Sequence, residues 1–357
     1  MSHVARVVPA LPPDVYPQAQ ITATIAPLLI GADSDRRPLL DKLHASSGVA
    51  TRHLALPLEA YPGLTSFGSA NDHFITLGTQ LAEGACRAAL DAAGLDPRDV
   101  DYLLFTSVTG VSAPSIDALL VPRLGLRQDV RRLPSFGLGC VAGAAGLARV
   151  HDYLQGHPDD VALLVSVELC SLTIQHGDDS MANMVSSAIF GDGAAAALLV
   201  GDRHPLASEP GLSVVDSRSV LYPETSDQLG WRIGGTGFRI VLSAGLAGVI
   251  SAHLADDVAQ LLAKHDLKVR DIETWVVHAG GPRIIDAVQE ALDLDAEALV
   301  HTRESLAEVG NLSSASVLDV LSRTLQDPHP VSGHAVLLAF GPGVSAEIVL
   351  LRWTGAP

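Results

Sequence analysis

Residues 139–147 read GCVAGAAGL and residues 310–318 read GNLSSASVL. Each is a glycine, one distinctive residue, a run of small residues and then apolar residues at helical spacing. Two further pairs flank them in the same order: LDPRDVDYLLF (95–105) resembles LKVRDIETWVV (267–277), and FGDGAAAALLV (190–200) parallels FGPGVSAEIVL (340–350). Three echoes in one order are a poor match to chance and predict a duplicated α/β unit. The seam falls in the turn-rich stretch 202–225, so the halves are read as 1–212 and 213–357.

Hydrophobic patterning agrees. A helix is predicted over 73–93, ending at Gly94, and VALLVSVE (161–168) is an aliphatic run of buried-strand type. The second half repeats the alternation, with a helix over about 244–265, a strand at 274–278, a helix at 282–292 and a strand at 335–340. Strand and helix alternating twice over predict two mainly parallel sheets covered by helices. At 357 residues there is room for two cores, and an excess of Ala, Val, Leu and Gly over aromatics suits them.

The formal net charge of −17 argues against a nucleic-acid partner, because phosphate backbones are held by clustered Lys and Arg. Three distant cysteines, Cys86, Cys140 and Cys170, make neither a disulfide framework nor a CxxC metal site, and a reduced cytoplasm is the simplest setting. The proline-broken start, MSHVARVVPALPPDVYPQ, lacks the apolar core of a signal peptide, and no apolar run reaches the length of a membrane span. No HExxH-like metal spacing, P-loop or GxGxxG is present.

Cys140 is the residue whose setting stands out. A free cysteine is often a small buried hydrophobe. Here it precedes an Ala-rich helix whose N-terminus favours a thiolate, with Gly137 and Gly139 allowing a sharp turn and close approach of a substrate. His278 ends the strand TWVV at what would be the C-terminal end of a parallel strand, where α/β sites gather, although a lone histidine is as easily structural. Asn311 could be a helix N-cap. Under the duplication it faces Cys140, and a Cys, a His and an Asn then meet between the halves, where small-molecule sites lie. Asp192, in Gly-Asp-Gly, reads as turn chemistry.

These residues resemble the type III polyketide synthases, chalcone-synthase-like enzymes on a thiolase fold. The matching motifs are GLGCVAGAAGLAR, SSAIFGDGAAA, VVHAGGPRIID, EVGNLSSASVL and AFGPG, spread in family order over residues 95–353. The resemblance implies a duplicated αβαβα sandwich and a homodimer that uses acyl-CoA and malonyl-CoA as substrates, with no cofactor and no metal. It implies Cys140 as the acyl-carrying nucleophile, His278 and Asn311 as its partners, and Phe190 as an aromatic gate. Cavity positions carried over are Thr109, Ala113, Thr173 and Phe238, with Gly341 and Gly343 of the FGPG loop. CoA contacts are Lys42, Arg52, Gly280 and Arg283. Ala113 stands where plant members have a methionine, which suggests a roomy aliphatic cavity, a long fatty acyl starter, and an alkylpyrone or alkylresorcinol product.

Three rivals are weighed. A 1,3,6,8-tetrahydroxynaphthalene synthase, using malonyl-CoA as starter and extender, usually carries a cysteine where Thr173 stands. An initiating β-ketoacyl-acyl carrier protein synthase has a histidine motif that runs into Ala-Asn rather than AGGP. An inactive scaffold of this fold would not need the full Cys, His and Asn set.

Overall fold

The computed structural model describes residues 1–328 and 332–355. The first half runs β1 (Ser2–Ala10), a short pair β2 (Asp14–Pro17) and β3 (Thr51–Leu54) enclosing α1 (Gln18–Ile30) and α2 (Arg37–Ala45), then α3 (Phe67–Ala93), β4 (Val100–Ser107), α4 (Ile116–Leu124) and β5 (Arg131–Phe136). It continues through α5 (Ala142–Gly156), β6 (Val161–Leu169), α6 (Met181–Ile189) and β7 (Asp192–Gly201). The second half holds β8 (Gly211–Leu221), the ribbon β9 (Leu229–Gly234) and β10 (Gly237–Leu242), α7 (Leu246–Ala263), β11 (Ile272–Val277) and α8 (Pro282–Leu292). It ends with α9 (Val300–Val309), α10 (Ser316–Thr324), β12 (Ser332–Gly341) and β13 (Ser345–Thr354).

The expected two mainly parallel sheets are instead one continuous mixed sheet of nine strands, ordered β11-β12-β13-β8-β1-β7-β6-β4-β5. Only β4 with β5, β4 with β6, and β11 with β12 run parallel. A three-residue turn after Gly341 returns β12 directly into β13, and such a short connection permits only antiparallel pairing. β1 joins β8 through Ser2–Val4 and Leu212–Val214 and stitches the halves together.

The duplication is visible in this order. Outward from the β1/β8 seam the first half reads β1-β7-β6-β4 and the second β8-β13-β12-β11, with β5 as an extra edge strand. The shared Arg-Asp pair of the echo has a structural reason too: before β4, Asp99 accepts from the Asp96 amide at 2.9 Å, and before β11, Asp271 accepts from the Lys268 amide at 2.8 Å. Both acids close the same tight turn that starts a strand.

Alternation along the strands builds five layers. Leu103, Phe105, Leu163 and Val165 point outward onto α3 and α4, while Leu104, Leu164, Leu337 and Leu351 point inward onto α5 and α10. Trp275, Val277, Leu338 and Leu350 face α7 and α8 on the far side. α5 and α10 are therefore the central layer, and a glycine of α5 permits close crossing: a Cβ on Gly143 would lie 2.3 Å from the Ser314 carbonyl oxygen.

α3 begins at Phe67, earlier than its periodicity suggests, because Ser66 caps it by accepting from the Ser69 amide, and it ends as expected at left-handed Gly94. α7 is the one described helix long and apolar enough to cross a membrane. Its Ile250, Leu254, Val258 and Leu261 are buried against the sheet, and Asp257 pairs with Arg218 at 2.9 Å, as a core helix would.

Candidate active site

The chain reaches Cys140 through Gly137 and Gly139, both with positive φ, and a 3₁₀ turn at Gly139–Val141 leads into α5. A Cβ on Gly139 would lie 2.6 Å from Pro342 Cδ, so glycine is required twice over. The opposing helix α10 starts in the same way, from a 3₁₀ turn at Ser313–Ala315 whose first residue has φ +51°. Aligned by helix onset, Cys140 corresponds to Ser314 rather than to Asn311, which lies three residues earlier in an added loop. The thiol nevertheless meets that loop: Cys140 Sγ donates to Ser313 Oγ at 3.5 Å.

His278 follows the last residue of β11 and extends its parallel ladder, donating its amide to Leu338 at 3.0 Å. Gly281, with φ +128°, and Pro282 then start α8. Asn311 is fixed at both ends. Its amide donates to Ile189 at 2.7 Å, and its Oδ1 accepts from the Ser313 amide at 2.8 Å, as a cap would. The Nδ2 group is thereby turned toward Gly280, whose carbonyl it approaches at 3.4 Å. The capping and catalytic readings of Asn311 use different atoms of one side chain.

Cys140, His278 and Asn311 line a single cavity of about 510 Å³, a volume within the range of small-molecule sites. Burial dominates its electrostatics. It pushes the Cys140 thiol up to about 12, with Ser313 pulling the other way, and the His278 imidazole down to about 4. Burial thus opposes both the thiolate expected from the helix N-terminus and a charged imidazole. His278 Nδ1 is enclosed without a partner.

Phe190, Gly280 and Arg283 also line this cavity, together with Leu43, Ser46 and half-exposed Met181. Lys42 is exposed on α2 beside Leu43. Neither Lys42 nor Arg283 forms an ion pair among the described residues, so both are available to a phosphate. Arg52 does not belong with them. It is 3% exposed, donates Nη1 to the Phe190 carbonyl at 2.7 Å and Nε to Gln18 at 3.1 Å, and its inward position on β3 removes it from any CoA contact.

The carried-over cavity positions separate. Thr173 and Phe190 line a second, inner cavity of about 30 Å³, with Arg52, Tyr61, Ser186 and Trp231 among its other walls. Phe190 is common to both cavities, and its ring stands 6.3 Å from that of Trp231. Phe238 lies one layer back, edge-on to Trp231 at 6.2 Å and to Phe67 at 5.6 Å. Gly341 and Gly343 are not on either wall: a Cβ on Gly341 would lie 2.6 Å from the Leu138 carbonyl oxygen, so the FGPG loop backs the turn that carries Cys140. Ala113 is exposed, far from forming the wall of either cavity in one chain. Asp192 is a buried structural clamp, accepting from the Ala55 and Ser171 amides at 2.6 and 2.8 Å.

Thr109 leads to a residue the sequence reading passed over. Its hydroxyl donates at 2.9 Å to Glu168, a fully buried acid at the end of the aliphatic strand β6. Glu168 also accepts from the Val108 amide at 3.1 Å, from Ser313 at 3.3 Å and from Ser314 at 2.5 Å, so one carboxyl group joins the two halves directly behind the thiol. An acid closing the apolar run VALLVSV was the available signal.

Comparison with known proteins agrees with this geometry. The family described as chalcone and stilbene synthases, N-terminal domain, matches residues 2–203, and its C-terminal domain matches residues 213–354. The chain belongs to the chalcone and stilbene synthase family. It is a type III polyketide synthase on a thiolase-like fold, an acyltransferase that condenses CoA thioesters. This synthase is 54% identical to a 1,3,6,8-tetrahydroxynaphthalene synthase of Streptomyces peucetius over 98% of its own length and 93% of the relative's. It is 30% identical to an alpha-pyrone synthesis polyketide synthase-like protein of Mycobacterium tuberculosis, over 95% of the chain and 88% of the relative. The crystal structure of the Streptomyces coelicolor tetrahydroxynaphthalene synthase superposes with a TM-score of 0.93 at 31% identity, covering 99% of this chain and all of that one.

Proposed function

We propose that this synthase uses malonyl-CoA as both starter and extender and makes a tetrahydroxynaphthalene-type product, rather than priming with a long fatty acyl group. The observation that carries the reading is the 54% identity, over nearly the whole chain, to a tetrahydroxynaphthalene synthase. The size of the inner cavity supports it: about 30 Å³ beyond Phe190 is room for roughly two waters, too little for a long alkyl chain. Ala113 is exposed and lines neither cavity of the single chain, so the long-starter reading gains no support within this chain.

In this mechanism Cys140 attacks the thioester carbonyl of malonyl-CoA while His278 takes its proton, giving an acyl-Cys and free CoA. As a second malonyl-CoA loses CO₂, charge develops on its thioester oxygen, where Asn311 Nδ2 and His278 donate. The resulting carbanion attacks the acyl-Cys carbonyl, and repeated rounds lengthen the chain. Five malonyl-CoA molecules release five CO₂, five CoA and, on ring closure, one water, which leaves the ten-carbon tetrahydroxynaphthalene. Lys42 and Arg283 hold the CoA phosphates and Phe190 gates the passage from mouth to inner cavity. The proposed assembly is a homodimer through the open edge β5, where Leu133 and Phe136 are about half exposed. The test is product analysis with malonyl-CoA alone and with a panel of acyl-CoA starters added. A product that forms only when an acyl-CoA is added would reject the reading.

A further inference from the structure

Among the described residues the ribbon β9–β10 pairs with no other strand, and a lone two-stranded ribbon is marginal in water. Yet it walls both cavities. Leu229 and Leu242 face the larger one, Trp231 and Ile240 the smaller, and all four lie on one face of the ribbon. Where the ribbon stands therefore fixes the gap between Trp231 and Phe190.

Among the described residues, side-chain hydrogen bonds to the two strands and their turn come from two residues only. One is Asp178, which meets Arg239 at 3.2 Å in a pair whose arginine is more than half exposed and which solvent therefore weakens. The other is Gln175, which is 5% exposed. The two hydrogens of its Nε2 are shared among the carbonyls of Thr236 and Phe238, at 3.2 Å each, and of Thr173, at 3.0 Å, while its Oε1 accepts from Thr236 Oγ1 at 2.6 Å. Its own carbonyl accepts from Asn183 Nδ2 at 3.1 Å, which anchors it to α6. One buried amide thus ties the ribbon's turn to the loop that carries Thr173 and to the helix that ends at Phe190.

We propose that Gln175 is a specificity-determining positioning residue: it pins the β9–β10 ribbon, sets the opening between Phe190 and Trp231, and so restricts the starter to a short acyl group. This rests on the reading of the larger cavity as a condensation site. Without the pin the ribbon can swing outward on its Gln228 and Ser243 ends, where the Ser243 amide still donates to Gln228 at 2.8 Å, and the inner cavity opens to longer chains.

The test compares wild type with Gln175→Ala and Gln175→Glu, the latter of equal size but setting an acceptor against three carbonyls. Three quantities are read: hydrogen exchange over residues 229–242, release of acetyl-CoA from malonyl-CoA, and the ratio of kcat/KM for octanoyl-CoA to that for malonyl-CoA as starter. The expected result is faster exchange confined to the ribbon, acetyl-CoA release within twofold of wild type, and a ratio raised tenfold or more. Thr236→Val, at an exposed position, removes one of these bonds and is expected to shift the ratio in the same direction by less; it decides the matter if the Gln175 variants do not fold. Unchanged ratio and exchange, or equal loss of activity with both starters, would overturn the proposal. A wild-type protein inactive on malonyl-CoA would instead overturn the functional reading, with the exchange measurement still deciding whether Gln175 holds the ribbon.

Discussion

Cys140 Sγ and Ser313 Oγ stand 3.5 Å apart across the two halves of the chain, and the serine hydroxyl in turn reaches Glu168 at 3.3 Å. The Cys140 thiol thus hydrogen-bonds to the loop that also carries Asn311, and its surroundings depend on how the halves are joined.

Burial raises the thiol's pKa, and Ser313, whose hydroxyl can turn to donate to a thiolate, lowers it, so Ser313→Ala is expected to raise it further. Alkylation of Cys140 by iodoacetamide should still be increasing at pH 10 in the wild type, with its midpoint moved up in the variant. Losing one hydrogen bond of about 1 kcal/mol should slow product formation roughly fivefold.

His278, held down to about 4 by burial, is neutral throughout the working range. Its pKa is lower in the folded than in the unfolded state, so its contribution to stability is complete above the unfolded value near 6.5 and declines as pH falls toward 4. Unfolding midpoints measured from pH 7 to pH 4 should fall more steeply for wild type than for His278→Gln. Activity should show no acid limb from this group near pH 6.5.

Glu168→Ala strands the Val108 amide and the hydroxyls of Thr109 and Ser314 in the core. A loss of about 3 kcal/mol or more is expected in chemical denaturation. Glu168→Gln, which keeps the shape, should lose less stability.

Gly341→Ala would push a methyl group to 2.6 Å from the Leu138 carbonyl oxygen and 2.7 Å from Val141 Cγ1, on either side of the nucleophile. Overpacking of this kind costs about 1–3 kcal/mol. Product formation should fall well beyond what the stability change explains, because Cys140 is displaced from His278 and Asn311. The paired assay is turnover beside thermal unfolding.

Much of this was readable from local pattern. Glycines before Cys140 and Asn311, the AGGP turn after His278, and the Arg-Asp turns before β4 and β11 each have a backbone reason that a single sequence carries. The joining of β1 to β8 was not readable, because register between distant strands is set by packing rather than by either strand alone. Arg52 was misplaced for a similar reason. The resemblance offered it as one of the basic CoA contacts of the first half, and only the strand's facing, with Phe190 and Gln18 accepting its hydrogen bonds, turns the guanidinium inward. Glu168 and Gln175 went unnoticed because their partners lie on other elements, some more than a hundred residues away.

The central claim is that Cys140 carries the growing chain, and the most direct measurement is mass spectrometry of the protein after brief incubation with malonyl-CoA, followed by peptide mapping. The account predicts an acyl mass increase on the peptide containing Cys140, and loss of both that increase and the polyketide product in Cys140→Ala. Product formation that survives Cys140→Ala, or an acyl group on Cys86 or Cys170 instead, would contradict it.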